Sequence, residues 1–206
     1  MKSLADLGWA SLFCACCLLV PQAALKADES NGSESPQSVD TALRLFLRDA
    51  INTSSSFNDR FDAEVWLMDM QGRLKPYMPD DSMRLQFLKT VHQEATAAEL
   101  SPELVLAIIE VESGFDRFAI SRVGAQGYMQ VMPFWRKEIG RDDDNLTDTV
   151  TNLRYGCRIL QFYLERENGN LAPALAGYNG SSGSTVYSDK VRNTWERRWK
   201  VDNSPW

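Results

Sequence analysis

Two glutamates close an apolar run in the middle of the chain. Residues 107–116 read AIIEVESGFD, and Glu110 and Glu112 stand directly before a Ser-Gly pair. In a helix, at about 100° per residue, Glu112 continues the most apolar stripe, whereas Glu110 lies roughly 160° away from it. The stripe consists of Val105, Ile108 and Ile109. The spacing therefore predicts that the two acids face different surroundings.

The position of Glu112 favours a protonated carboxyl group. It falls in the last turn of the predicted helix, where unpaired carbonyl groups make the helix end partly negative. This field and the removal of water both disfavour the anion, so we predict that the pKa of Glu112 is raised. A carboxylic acid that stays protonated near neutral pH suits proton donation to a glycosidic oxygen. The alternative is that Glu112 frays into solvent, and for Glu110 we expect a surface or structural pairing.

The helix that carries both glutamates has clear boundaries in the sequence. Ser101-Pro102-Glu103 combines a capping hydroxyl, a proline at the first helical position and an acid at the positive end of the dipole. Gly114 is the matching stop signal. The uninterrupted apolar run over 104–109 predicts that this helix lies in the centre of the domain.

Other kinds of catalytic or metal site have little support. Outside the first 27 residues the only histidine is His92, which we interpret as structural or surface-exposed. A Ser-His-Asp triad or a histidine-containing metal site would depend on this one residue, and no partner motif surrounds it. The acidic run 142–145 lacks the spacing of an EF-hand and is interpreted as a solvated loop that caps the next helix. We predict neither a metal nor a cofactor.

The first 40 residues differ from the rest of the chain. Residues 1–27 have a positive start, an apolar stretch and an A-x-A-like site, which is typical of a cleaved signal peptide, with an uncleaved anchor as the alternative. Residues 28–40 are polar and predict a flexible linker. Cleavage would leave Cys157 as the only cysteine, whereas processing at Cys16 or Cys17 would attach lipid, although Phe13 stands where such sites prefer Leu.

The charge and the size of the chain limit the classes of partner and the domain architecture that are expected. The chain has 206 residues, 44% of them hydrophobic, and a net charge of −6, so it is large enough for one domain with a core and is a poor partner for nucleic acid. Helical periodicity dominates after residue 40, which predicts an all-α fold. The predicted helices span 41–50, 59–74, 82–98, 101–113, 146–167, 171–178 and 184–200.

A dense motif follows Glu112. The segment 112–133, ESGFDRFAISRVGAQGYMQVMP, together with the GYNG at 177–180, resembles the soluble lytic murein transglycosylase (SLT) family, relatives of goose-type lysozyme. The resemblance covers about residues 82–200. It implies a lysozyme-like helical catalytic domain there. The region 41–81 carries none of the family's catalytic motifs, and its helical patterns predict an N-terminal helical extension.

The resemblance also implies a reaction. Members of this family cleave the β-1,4 bond between N-acetylmuramic acid and N-acetylglucosamine in peptidoglycan and leave 1,6-anhydro ends, for cell wall remodelling or recycling. Glu112 would be the single catalytic acid, which later acts as a base. Such a reaction is an exception to the scheme with two carboxylates, so the lack of a second acidic motif does not count against it.

Further residues match the family's binding positions. Ser121 would hydrogen-bond the reacting sugar, or would simply cap a turn. The resemblance implies a close approach of the sugar at Gly127, a cleft lined by Met129, Gln130 and Met132, and contacts to the acid and the sugar from Tyr178 and Asn179. Without the motif, both methionines would be interpreted as core residues and Tyr178 as a buried tyrosine with a satisfied hydroxyl group. Two departures from the motif, Tyr128 and Gly177, would change the width of the cleft. For three aromatic residues both a core position and a sugar platform stay open: Trp135, Tyr187 and Trp195.

Several alternatives remain at this point. A goose-type muramidase with the same fold would use water and yield a reducing end, and a non-catalytic peptidoglycan-binding protein would keep the fold without the reaction. Residues 41–81 would dock a cell-envelope partner, cover the cleft or extend the core. We expect a monomer that is exported to the periplasm or cell envelope and acts on peptidoglycan glycan strands.

Overall fold

The computed structural model describes residues 60–201, and over this range the prediction of an all-α fold is confirmed. The predicted signal peptide, linker and helix 41–50 lie outside the described residues. The helices are α1 (Arg60–Leu74), α2 (Asp81–Ala97), α3 (Pro102–Ser113), α4 (Trp135–Ile139), α5 (Thr149–Arg166), α6 (Leu171–Asn179) and α7 (Val186–Thr194). Extended pairing within 60–201 is limited to two isolated bridges at Gln126.

Three differences from the predicted helices have local causes. Helix α5 begins at Thr149 because the Asp148 side chain accepts a hydrogen bond from the backbone N–H of Thr151 and caps the helix there. The helix predicted over 184–200 ends at Thr194 and continues as a π-helical turn, Trp195–Trp199. Helix α4 was not predicted, since five residues are too few to show a helical period.

Helix α3 is the central helix, as predicted. Leu104 to Ile109 are all buried. The Ser101 hydroxyl caps the first turn by accepting from the N–H of Leu104 at 3.2 Å. Gly114 ends the helix in a left-handed conformation with φ of 58°, which glycine adopts without strain. Both boundaries of the helix that carries Glu112 are therefore fixed by residues that the sequence analysis identified.

Helix α1 extends the core that surrounds α3. Met70 and Leu74 are fully buried, and the indole N–H of Trp66 donates to Glu103 Oε1 at 2.7 Å. At the other end of α1, Arg73 donates to the backbone carbonyls of Arg198 and Lys200. The described part of 41–81 therefore packs into the same core as α3, which agrees with the third of the three roles considered for this region. No helix within residues 60–201 is long and apolar enough to cross a membrane.

His92 lies between α1 and the core. Its ring contacts Trp66 edge-on, with centroids 5.1 Å apart and planes at 72°. Burial lowers the pKa of His92 from 6.5 to about 4, so the ring is neutral in the folded protein near neutral pH. The ring therefore packs against Trp66, which is the structural role, the first of the two that were predicted for His92.

The His92 pKa predicts a pH-dependent loss of stability. Between pH 6.5 and about 4 the unfolded chain binds a proton that the folded ring does not, so the contribution of His92 is complete above pH 6.5 and is lost as the pH falls towards 4. His92→Phe keeps a ring against Trp66 and removes this proton. In urea unfolding at about pH 7 and about pH 4.5, we expect the variant to lose less free energy of unfolding than the parent; equal losses would contradict the assignment.

Candidate active site

Glu112 lines a cleft of about 230 Å³ at the end of α3. Its carboxylate Oε1 accepts a hydrogen bond of 2.6 Å from the hydroxyl of Tyr187 on α7. Burial raises the pKa of Glu112, and the Tyr187 hydrogen bond and the positive charge of Lys190 offset only part of this rise. The predicted direction of the shift is confirmed, and Glu112 is held at one position rather than fraying into solvent.

Glu110, two residues earlier, occupies a different environment. Its Oε1 accepts from the Tyr77 hydroxyl at 2.9 Å and pairs with Arg198 at 2.9 Å, and its Oε2 accepts from the indole N–H of Trp199 at 2.8 Å. These partners connect α3 to the chain after α1 and to the π-helical turn. The expected structural pairing of Glu110 is therefore confirmed, and this acid faces away from the cleft.

The tyrosine that contacts the acid is not the one that the motif suggested. Tyr178 lines the cleft, but its hydroxyl donates to the backbone carbonyl of Met129 at 2.7 Å. Tyr187, which the sequence left between core and sugar platform, is buried and donates to Glu112 instead. Tyr187 and Glu112 are 75 positions apart in the sequence, and no local pattern predicts a contact over that separation.

The loop 115–131 forms one wall of the cleft. The Ser121 hydroxyl accepts from the backbone N–H of Ala125 at 2.9 Å, so it caps a turn and lines the cleft at the same time. The Gln130 amide donates to the carbonyls of Ala119 and Gly127, which holds its side chain against the wall. Four of the predicted binding residues thus line the cleft together with Glu112, and a fifth, Met132, adds an apolar surface: Ser121, Gln130, Met132, Tyr178 and Asn179.

Gly127 and Met129 lie outside the residues that line the cleft. Gly127 has φ of 74°, and a Cβ atom there would lie 2.5 Å from Nδ2 of Asn152, so the backbone approaches a protein side chain rather than a sugar. Met129 is fully buried and packs against Gly156. In the structure both residues therefore support the loop from the side of α5, and their predicted contact with substrate stays a prediction.

Asn152, which the sequence analysis did not identify, holds this loop. Its side chain is 1% exposed and makes three hydrogen bonds of 2.8 Å. Oδ1 accepts from the N–H of Met129, and Nδ2 donates to the carbonyls of Gln126 and Leu146. In the sequence Asn152 is only an asparagine near the start of a predicted helix. The one signal for a structural role is that it is a polar residue among the buried, mostly apolar positions of that helix.

Apolar side chains complete the cleft around the acid. Met132, Trp135 and Ile159 line it, and Trp135 is only 7% exposed, with its ring 5.0 Å from that of Phe134. Trp135 is therefore a core residue with part of its surface at the cleft. An apolar lining excludes water and strengthens every electrostatic interaction of the carboxyl group.

Tyr187→Phe tests the tyrosine that contacts the acid. The hydrogen bond from Tyr187 lowers the pKa of Glu112, so its removal should raise that pKa further and move the basic limb of the pH–rate profile to higher pH. We expect the rate of the glycosidic bond cleavage implied by the family resemblance, at its optimum pH, to fall about tenfold, because the carboxyl group loses a charge-assisted hydrogen bond. Tyr163→Phe is the control, since Tyr163 lies outside the cleft lining. An unshifted basic limb would show that Tyr187 does not set the pKa of Glu112.

Comparisons with known proteins agree on one family. The family model described as "Transglycosylase SLT domain" matches residues 89–200. The transglycosylase of Enterobacteria phage PRD1 is 30% identical over 109 residues, which are 53% of this chain and 40% of that protein. Membrane-bound lytic murein transglycosylase C of Actinobacillus pleuropneumoniae serotype 5b (strain L20) is 42% identical over 57 residues, 28% of this chain and 15% of that protein. The chain thus spans less than half the length of these relatives.

Two solved structures were also found. An inactive mutant of lytic transglycosylase Slt from Pseudomonas aeruginosa has a TM-score of 0.43 and 22% identity, over 82% of this chain and 35% of that one. The 70 kDa soluble lytic transglycosylase Slt70 from Escherichia coli has a TM-score of 0.40 and 20% identity, over 77% and 26% of the two chains.

Proposed function

The chain belongs to the transglycosylase SLT domain family, and on that premise we propose that it is a peptidoglycan lytic transglycosylase. The reaction is cleavage of the β-1,4 bond between N-acetylmuramic acid and N-acetylglucosamine, with formation of a 1,6-anhydro end on the muramic acid. The observation that carries this proposal is the buried Glu112, whose pKa is raised and whose carboxyl group faces the cleft.

Glu112 supplies both proton transfers of the proposed reaction. The protonated carboxyl group first gives its proton to the glycosidic oxygen, and the bond from that oxygen to C1 of muramic acid breaks. The substrate's own N-acetyl group stabilises the positive charge at C1. The C6 hydroxyl then attacks C1 and returns its proton to the carboxylate, so Glu112 ends protonated and no water is consumed. Tyr187 orients the carboxyl group throughout.

The composition of the cleft supports this scheme. Within residues 60–201, Glu112 is the only acid among the side chains that line the cleft. A glycosidase with two carboxylates would need a second one about 5–9.5 Å away, as nucleophile or as base for water. A single acid instead fits an intramolecular attack by the substrate's hydroxyl group. Ser121 and Asn179 present a hydroxyl and an amide to the sugar on the same lining.

Product analysis on purified sacculi tests the function. We expect mass spectrometry of the soluble muropeptides to show muramic acid ends lighter by one water than hydrolysed ends. A goose-type muramidase would give the heavier, reducing ends instead. If the protein binds sacculi and releases neither product, the alternative of a non-catalytic peptidoglycan-binding protein replaces the proposal.

The cellular setting is part of the proposal. The signal-peptide pattern over 1–27 supports export to the periplasm or cell envelope, where peptidoglycan is found. We propose that the protein acts there as a monomer on glycan strands, without a cofactor. Fractionation of cells with an antibody against the mature chain tests the location, and detection in the cytosol alone would contradict it.

A further inference from the structure

A second cavity, of about 350 Å³, lies outside the candidate active site. Phe87, Tyr128 and Met78 are each less than 9% exposed and form its apolar part, with the rings of Phe87 and Tyr128 4.7 Å apart. Met83 and Val150 also line it and are 61% and 40% exposed, so they lie at its mouth. The volume is within the range of small-ligand sites, about 300–1,000 Å³.

Arg117 provides the charge of this second cavity. Its Nε donates to the carbonyl of Thr147 at 2.7 Å, and its guanidinium carbon lies 5.3 Å from the centre of the Phe118 ring, so the side chain is held in place. Among residues 60–201, Arg117 forms no ion pair. The neighbouring acid, Asp116, accepts from the backbone N–H of Phe118. A fixed cation at an apolar cavity is complementary to a carboxylate attached to a small apolar group.

Two hydroxyl groups of the second cavity are already engaged within the protein. The Ser82 hydroxyl donates to Asp80, and the Thr90 hydroxyl donates to the carbonyl of Gln86. The remaining polar groups of the lining, besides Arg117, are the Gln86 amide and the hydroxyls of Tyr128 and Thr149. A ligand with methyl groups and one carboxylate needs few hydrogen bonds, and it matches the apolar part of the lining and the charge of Arg117.

We propose that the second cavity binds the carboxylate-terminated end of a peptidoglycan stem peptide. Arg117 pairs with the free carboxylate, and the alanyl methyl groups pack on Phe87, Tyr128 and Met78. The proposal rests on the proposed function, because it takes the ligand from the proposed substrate. It makes Arg117 and the cavity around it a determinant of preference for peptide-bearing strands.

The second cavity and the cleft share one loop. Tyr128 lines the second cavity, while Gln130 and Val131, two and three residues later, line the cleft with Glu112. The backbone carbonyl of Tyr128 accepts from Ser113 at the end of α3, and that of Met129 accepts from Tyr178. A peptide that packs on Tyr128 in the second cavity therefore contacts a residue of the loop that also shapes the cleft, which gives peptide binding a route to the cleavage rate.

Binding of a synthetic peptide tests the ligand. The probe is a sugar-free stem pentapeptide ending in D-alanyl-D-alanine, and its binding to the protein is measured by calorimetry. The same peptide with a C-terminal amide is the comparison ligand. We expect the amide, and the Arg117→Gln variant with the free acid, to bind at least about tenfold more weakly than the parent with the free acid. Arg117→Lys should recover part of the affinity. Met83→Glu changes an exposed residue and places a negative charge at the mouth, so it should weaken binding without affecting the fold.

Cleavage rates separate this proposal from the proposed function. The parent should cleave peptide-bearing sacculi faster than strands stripped of peptide by an amidase. Met83→Glu should lose this preference while keeping the rate on stripped strands, and Arg117→Gln should lose the preference as well. Equal binding of acid and amide, no binding by the parent, or an unchanged preference in both variants would overturn the second site while leaving the proposed function standing. If the parent binds the peptide through Arg117 but cleaves neither substrate, the second site is supported and the proposed transglycosylase function is rejected.

Discussion

Glu112→Gln is expected to slow the solubilisation of sacculi by about 10²- to 10⁴-fold while leaving the fold intact, since general acid–base catalysis contributes on that scale. Glutamine preserves the size of the side chain and can still accept the hydrogen bond from Tyr187. It cannot give a proton to the glycosidic oxygen or take one from the C6 hydroxyl. Release of muropeptides, normalised to folded protein, measures the loss, and a variant as fast as the parent would refute the role of Glu112.

Glu110→Gln is the matched control, because the same substitution two residues away should have the opposite effects. It removes the ion pair with Arg198 and leaves one amide to face two donors, the Tyr77 hydroxyl and the Trp199 indole. We expect the free energy of unfolding to fall by about 1–3 kcal/mol. The rate per folded molecule should stay within about twofold of the parent. Equal losses of activity in Glu110→Gln and Glu112→Gln would mean that the assay responds to the stability of helix α3 and not to the carboxyl group of Glu112.

Stability against pH adds a second readout for Glu112→Gln. The folded pKa of Glu112 is raised, so the stabilisation linked to its protonated form is complete below the unfolded pKa and is lost as the pH rises through the folded pKa. Glutamine cannot ionise. The variant should therefore match the parent in free energy of unfolding at low pH and exceed it at high pH. A constant difference at all pH values would show that the carboxyl group is not desolvated as the structure indicates.

Contacts in this protein are predictable from the sequence where the interacting residues lie close together along the chain. Glu110 and Glu112 share one helix, so a period of 3.6 residues was enough to separate their environments before any contact was known. The capping residues of α3 were equally readable, because a cap bonds within its own first turn. The all-α fold and the central position of α3 followed from patterns of the same local kind.

The rest of the site depends on contacts that local patterns do not carry. Tyr187 meets Glu112 across 75 residues, and Asn152 meets the Met129 loop across 23. The family motif identified Gly127 and Met129 as members of the loop, but it gave no side-chain direction, and both turned towards α5 instead of the cleft. The acid was thus predictable from the sequence, whereas the residues that orient it and support the cleft wall required coordinates.

Asn152→Ala is expected to lower the free energy of unfolding by about 3–5 kcal/mol, the second large effect. The substitution removes three hydrogen bonds at once and leaves the N–H of Met129 and the carbonyl of Leu146 buried without their partner, whereas the carbonyl of Gln126 still accepts from the N–H of Val131. Each such group costs about 1–3 kcal/mol, and entry of water relieves part of the sum. Urea unfolding followed by circular dichroism measures the change.

Asn170→Ala is the matched control for Asn152→Ala, because Asn170 is exposed and makes no capping hydrogen bond with its side chain. It should change stability by less than about 0.5 kcal/mol. At low temperature, where Asn152→Ala is still folded, its rate on sacculi should also fall, since the loop that carries Gln130 and Val131 loses its attachment to α5. Asn152→Ala with parental stability would show that the loop holds its shape without this side chain. Lost stability with an unchanged rate would confine Asn152 to folding and remove it from the support of the cleft.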